Sequence, residues 1–278
     1  MNNLTKRLLS GIVYVAVFVG CILYGPTSFC ILFAVITALA LNEYNELMAT
    51  FGRGTVNNTV SIISGVFLFA ATFCTASGAT SILFFLPYLL SLLFMLVSEL
   101  YFKRADPIAD WTQAFFGQIY IALPFALLNI LAFHGGKGYS GILPLAAFVF
   151  LWMNDTGAYC FGSLLHKKIP YKLFERISPN KSWIGFVGGI VMVLVAAVVF
   201  YHLTDTDYTL LRWMGFGLTV AVFGTWGDLV ESLIKRNLGI KDSGKFLPGH
   251  GGVLDRFDSA LLAIPASVIY LYIENFCS

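Results

Sequence analysis

Residues 226–259 read WGDLVESLIKRNLGIKDSGKFLPGHGGVLDRFDS. This polar run joins two apolar segments, 209–236 and 253–274, each long enough to cross a bilayer as a helix. At 3.6 residues per turn, Asp228, Glu231, Ser232 and Lys235 share one helix face. Asp255, Asp258 and Ser259 repeat the three-and-four spacing at the start of the next helix, which runs back antiparallel. Both polar stripes therefore meet at one membrane interface. Lys241, Asp242, Lys245 and the turn from Pro248 through Gly249, His250 and Gly251 to Gly252 lie between them, placed to form a lid or cradle.

Outward from this run the chain is apolar: 58% hydrophobic and only 12% charged, against about one quarter charged in ordinary globular domains. Continuous apolar windows cover 8–25, 27–49, 59–77, 80–102, 113–133, 141–165, 183–203, 209–236 and 253–274. They predict an all-α integral membrane protein of about nine transmembrane helices. The windows do not alternate in polarity as the strands of a membrane β-barrel do. One continuous membrane domain is expected, with 1–140 as scaffold helices and 141–278 as the catalytic region.

The seventeen Lys and Arg residues fix an orientation on this nine-helix scheme. Lys6, Arg7, Arg53, Lys103, Arg104, Lys167, Lys168, Lys172, Arg176, Lys181, Lys235, Arg236, Lys241, Lys245 and Arg256 fall on one side, and only Lys137 and Arg212 fall opposite. Positive charge gathers inside, so the N-terminus and the polar site face the cytoplasm. The apolar segment after Lys6 and Arg7 has the flanks of a secretory signal, but a second begins directly after Gly25 and Pro26, so a retained first helix is expected. The five cysteines lack CxxC spacing and indicate neither a zinc site nor a disulfide framework. No basic, aromatic-interleaved surface segment points to nucleic acid.

Glu43 and Glu46 lie at the cytoplasmic end of the second window and read as carboxylates solvated at the interface. Asn154 and Asp155 sit inside an apolar helix, where an ionisable group faces a hydrated cavity or a partner and marks function. Gly157, Ala158 and Gly162 in the same helix suit close helix packing. Ser178, Asn180, Lys181 and Ser182 cluster at an expected helix start, where exposed N–H groups and the helix dipole favour phosphate, with simple helix capping as the alternative.

Carboxylates from two facing helices with lysine and arginine beside them suit Mg²⁺ held together with polyphosphate, Asp228 and Asp255 being the first choices as ligands. The interspersed basic residues favour an anionic substrate over a cation pathway. His250, between glycines, suits a hydrogen-bond donor to phosphate or a loop anchor, with general base as the lesser reading. Gly249, Gly251 and Gly252 permit close backbone approach.

Ser232, Lys235, Arg236, Lys241, Asp242, Gly244, Pro248, His250, Gly251, Gly252, Asp255, Arg256 and Asp258 resemble the signature of the phosphatidate cytidylyltransferase (CDP-diacylglycerol synthase) family. NDTGAYCFG (154–162) and ISPNKSWIG (177–185) resemble its other polar segments, so the likeness covers roughly the C-terminal half. The family often carries a basic residue and an acid where this chain has Asn180 and Ile184, and those two positions inherit no role.

The resemblance implies transfer of CMP from CTP to phosphatidic acid within the bilayer, with Mg²⁺ as one or two ions and a monovalent cation left open. It also implies a homodimer, and the compact length with no targeting extension gives the expectation of a bacterial cytoplasmic membrane. Asp228 and Asp255 would hold metal, with Asp258 completing or orienting that shell. Lys235, Arg236, Lys241 and Arg256 would neutralise phosphate, Asp242 would belong to the reacting set, and Ser232, His250 and the glycine backbone would donate hydrogen bonds. Asp155, Ser178, Lys181, Ser182 and Glu231 would contact substrate. A polyprenol-type lipid kinase and a membrane transporter are the alternatives.

Overall fold

A computed structural model describes residues 3–52, 54, 57–79, 81–102, 104–136, 138–165, 171–244 and 251–277. Its helices are α1 (Asn3–Tyr24), α2 (Pro26–Thr50), α3 (Asn58–Ala76), α4 (Leu86–Ser98), α5 (Pro107–Gly117), α6 (Leu123–Ala132), α7 (Ile142–Leu165), α8 (Trp183–Leu203), α9 (Leu210–Asn237) and α10 (Leu254–Cys277). A 3-10 turn (Ile82–Phe85) leads into α4, and a π turn (Gln118–Ala122) carries α5 into α6. Before α8, β1 (Lys172–Phe174) and β2 (Ser178–Ser182) pair antiparallel.

Several helix starts follow from single side chains. Helices leave their first N–H groups without intrahelical partners, and short polar side chains satisfy them. Asn57 accepts from the Val60 amide at 3.3 Å to open α3, and Asp106, followed by Pro107, accepts from Ala109 at 3.0 Å to open α5. Ser182 and Thr209 do the same for α8 and α9.

Six helical stretches among the described residues are long and apolar enough to cross a membrane: Pro26–Thr50, Asn58–Ala76, Pro107–Ala132, Trp183–Leu203, Leu210–Asn237 and Leu254–Glu274. The protein is an integral, multi-pass membrane protein, but the expected count of about nine is too high by this measure. The apolar parts near the first and fourth windows are shorter, Gly11–Tyr24 and Ile82–Ser98. Helix α7 has the length but carries Asn154 and Asp155 in its middle. The β1–β2 hairpin is a further correction, because Ser178, Asn180 and Lys181 lie on a strand and not in the first turn of a helix.

The chain divides into two units, Met1–Gly141 with Asp242–Arg256, and Ile142–Lys241 with Phe257–Ser278. In the first unit α2 packs on α1, α3 and α5, and α3 packs on α4 and α6. Phe18, Phe29, Phe33 and Phe125 are fully buried there. Two of the amide side chains inside donate to neighbouring helices: Gln118 Nε2 to the Ser61 carbonyl at 2.9 Å, and Asn129 Nδ2 to Thr72 Oγ1 at 2.9 Å. Such bonds satisfy groups that apolar surroundings would otherwise penalise.

In the second unit α7, α8 and α9 pack on one another around Phe150, Phe200, Trp213 and Phe216. At the far end Arg212 pairs with Glu274 and stacks over Tyr208, its guanidinium 4.1 Å from the ring centre. Helices α7 and α8 approach to backbone contact. A Cβ on Gly157 would stand 2.7 Å from the Gly188 carbonyl oxygen, and one on Gly185 would stand 2.9 Å from that of Ala158. Gly162 meets its nearest neighbour at an ordinary 3.6 Å. Gly157→Val should therefore overpack the contact by about 1–3 kcal/mol, lowering the thermal unfolding midpoint of the detergent-solubilised protein, whereas Gly162→Ala should leave it within experimental error. Equal midpoints for the two variants would contradict this packing.

Candidate active site

The site is built where four elements of the second unit meet: α7, β2, α9 and α10. Helix α9 contributes the stripe read from the sequence. Ser232 Oγ donates to Asp228 Oδ1 at 3.2 Å, and Lys235 Nζ stands 3.5 Å from Glu231 Oε1, both pairs spaced i and i+4. Strand β2 projects Lys181, whose ammonium pairs with Asp228 Oδ2 at 2.6 Å and donates to the Thr225 carbonyl at 3.4 Å. Helix α7 adds Asp155 and a buried Asn154, whose Nδ2 donates to Thr225 Oγ1 at 3.1 Å.

These groups enclose a cavity of about 310 Å³. Asp155, Ser178, Lys181, Ser182 and Asp228, all read as site residues in the sequence, line it together with Asn180, Asn154 and Thr225. Asp258, on α10, acts electrostatically on both Asp155 and Asp228, and Lys181 acts on Asp155. Asp155, Asp228, Asp258 and Glu231 thus share one neighbourhood with two ammonium groups, Lys181 and Lys235, an imbalance that favours a cation. Glu231 is buried on the same stripe. Arg236 stands apart from the cavity, exposed, and donates to the Ile240 carbonyl at 3.2 Å; Lys241 is exposed as well.

The remaining signature residues belong to the first unit. Asp255 Oδ2 accepts from the Ser243 amide at 3.0 Å and from the Gly252 amide at 2.9 Å, so this carboxylate holds its own loop. Gly251 has φ +80°, and a Cβ there would lie 2.7 Å from Asp255 Oδ2, two reasons for glycine at this position. Asp242 and Arg256 are exposed. Gly249 and His250 lie outside the described residues.

Glu43 departs from its expected role as a solvated interfacial acid. It accepts from the Ser243 hydroxyl and from the Val253 and Leu254 amides. Thr225 was likewise missed. An apolar sequence gives no signal for either: a threonine on a membrane helix usually bonds its own backbone, as Thr225 also does to the Ala221 carbonyl, and the partners of Glu43 lie at least 200 residues away.

The donor set fits Mg²⁺ chemically. Asp155, Asp228 and Asp258 offer hard oxygen atoms and no sulfur or imidazole, the preference of this ion, which commonly takes one or two carboxylates and completes its shell with phosphate and water. Among the described residues no three His, Cys, Asp or Glu side chains stand in metal-coordinating positions.

Residues 5–274 match the sequence model of the Cytidylyltransferase family. The chain belongs to that family. It is similar to proteins named phosphatidate cytidylyltransferase from Staphylococcus aureus (strain COL) and Staphylococcus haemolyticus (strain JCSC1435), each 45% identical over 127 residues, and from Staphylococcus saprophyticus, 46% identical over the same length. The matched part is 46% of this chain and 48% of each relative, so the chain spans about half the length of the curated relatives it matches. For this family member, a double-mutant cycle on Lys181→Gln and Asp228→Asn, read by thermal unfolding, should return a coupling of about 0.5–3 kcal/mol. Additive effects would contradict the ion pair.

Proposed function

We propose that this cytidylyltransferase moves CMP from CTP to phosphatidic acid, yielding CDP-diacylglycerol and pyrophosphate. The observation that carries the reading is the acid cluster on α7, α9 and α10, joined by Lys181, of which Asp155 and Asp228 line a cavity inside an otherwise apolar unit. Relatives bearing the name phosphatidate cytidylyltransferase support the choice of substrates.

The reaction asks little covalent chemistry of the protein. A phosphatidate oxygen attacks the α-phosphorus of CTP, a P–O bond forms there, and the bond to the β-phosphate bridge breaks, with its electron pair leaving on pyrophosphate. The phosphomonoester has a second pKa near 6, so it is largely dianionic at neutral pH and needs no protein base. What remains is to bring two anions together and hold them in line.

Bound Mg²⁺ supplies charge neutralisation and polarises phosphate oxygens. Asp228 and Asp255 would hold it, with Asp258 completing or orienting that shell, and the same acids could take two ions. Lys181, Lys235, Arg236, Lys241 and Arg256 offset phosphate charge, and Asp155 and Asp242 orient these cations. Ser178, Ser182, Ser232 and His250 donate hydrogen bonds to phosphate oxygens, Glu231 fixes Lys235, and the amides of Gly249, Gly251 and Gly252 approach the triphosphate. In this reading the chemistry resides in 141–278 on the cytoplasmic side, 1–140 serve as scaffold, and two copies form a homodimer. Acyl chains then enter from the bilayer while CTP arrives from water.

Purified protein given α-labelled CTP, phosphatidic acid and Mg²⁺ should produce labelled CDP-lipid and one pyrophosphate per turnover. Phosphorylated lipid with nucleoside diphosphate, or no bond cleavage, would overturn the reading. Asp228→Asn and Asp255→Asn should each lower turnover by at least about a hundredfold while the folded yield stays near wild type; near-normal turnover in both would remove the metal assignment.

A further inference from the structure

Helix α10 begins at Leu254, and the residue before it is Val253, which has no side chain able to cap a helix. The missing cap comes from α2. Glu43 Oε2 accepts from the Val253 amide at 2.7 Å, and Oε1 accepts from the Leu254 amide at 3.1 Å and from the Ser243 hydroxyl at 2.5 Å. A carboxylate at this point satisfies otherwise unpaired N–H groups and meets the positive end of the helix dipole. Val253, Leu254 and Ser243 are all buried, which strengthens each bond relative to one exposed to water.

The glycines of the signature agree with this role. A Cβ on Gly244 would stand 2.8 Å from Glu43 Oε2, and one on Gly252 would fall on Glu43 Oε1. Both positions are kept bare by the same carboxylate. From its other side the segment is held by Asp255, which accepts the Ser243 and Gly252 amides. Two acids, one from α2 and one from α10, therefore set a single stretch of backbone.

We propose that Glu43 is a positioning residue for the reaction: it fixes Ser243 and the turn from Gly252 to Leu254, and so sets where α10 starts and how Asp255, in its first turn, is presented. In this role Glu43 acts through the backbone it holds and not on substrate. Its kinetic consequence rests on the CMP-transfer reading, whereas the capping does not. A glutamine keeps the size but replaces one accepting oxygen by an amide nitrogen, which cannot receive the Val253 or Leu254 bond.

The test combines amide hydrogen exchange of the peptide containing 253–256 with steady-state kinetics on full-length protein in detergent with CTP, phosphatidic acid and Mg²⁺. Glu43→Gln should speed exchange at this peptide and lower kcat by about 10- to 100-fold, the cost typical of removing a group that orients ligating carboxylates, while KM for CTP changes far less. Glu43→Asp should recover part of the loss. Glu46→Gln, on the same helix, whose side chain accepts from Asn42 in the exposed layer, should match wild type in every readout.

Wild-type exchange in Glu43→Gln would overturn the cap, and wild-type kcat with faster exchange would overturn the positioning role. Should Glu43→Gln not fold, Ser243→Ala decides: about a two- to tenfold fall in kcat with faster exchange supports the proposal, and no change in either defeats it. A wild-type protein that releases no pyrophosphate overturns the functional reading instead, and the kinetic role with it; an active wild type alongside a fully active Glu43→Gln overturns this proposal alone.

Discussion

The ion pair between Lys181 and Asp228 is the constraint on which the second unit depends. A carboxylate on a membrane helix is costly unless it meets a cation or water, and the nearest cation here comes not from a neighbouring helix but from the β1–β2 hairpin. The hairpin must therefore lie against α9. Ser182, the last residue of β2, then caps α8, and α8 packs on α7 through glycines so closely that no Cβ fits at Gly157. The same arrangement leaves Asp155 and Asp258 near Asp228, with Lys181 and Lys235 as the cations that act on them. In the reading proposed above, a metal and its phosphate ligands would balance the residual negative charge.

A second constraint governs the first unit. The segment Asp242–Arg256 follows α9 in the chain yet packs with residues 1–141, and its anchors are carboxylates. Glu43 and Asp255 together accept five hydrogen bonds from Ser243, Gly252, Val253 and Leu254. Hydrogen bonds to a charged acceptor are roughly twice as strong as neutral ones. The glycines at 244, 251 and 252 make room for these acids, so a motif that suggests only phosphate binding in sequence also records how the loop is fastened. Scaffold and chemistry are not separable in this segment.

What the sequence disclosed follows from the range of the forces involved. The stripe on α9 was legible because i, i+3 and i+4 spacing is local, and the bonds from Ser232 to Asp228 and between Lys235 and Glu231 obey it. The intramembrane Asp155 was legible through its cost alone. The hairpin was not, since three- and five-residue strands have too little pattern to announce themselves, and Ser178, Asn180 and Lys181 looked like a helix start because Ser182 is one. The span count ran high because apolar windows do not register where a helix changes form, as at the 3-10 turn before α4. Glu43 was illegible in principle: its partners lie 200 and more residues along the chain, and one sequence contains no trace of that pairing.

We propose that these acids hold a divalent ion jointly with nucleotide phosphate. Mn²⁺ can stand in for Mg²⁺, and its electron paramagnetic resonance signal distinguishes free from bound ion. Titrating Mn²⁺ into the purified wild-type protein with and without CTP, after subtracting the Mn²⁺ bound by CTP alone, measures the coupling directly. The account predicts that each ligand tightens the other by the same factor, as linkage requires, of at least about tenfold. Mn²⁺ binding that is undetectable with CTP present, or unchanged by it, would contradict the account.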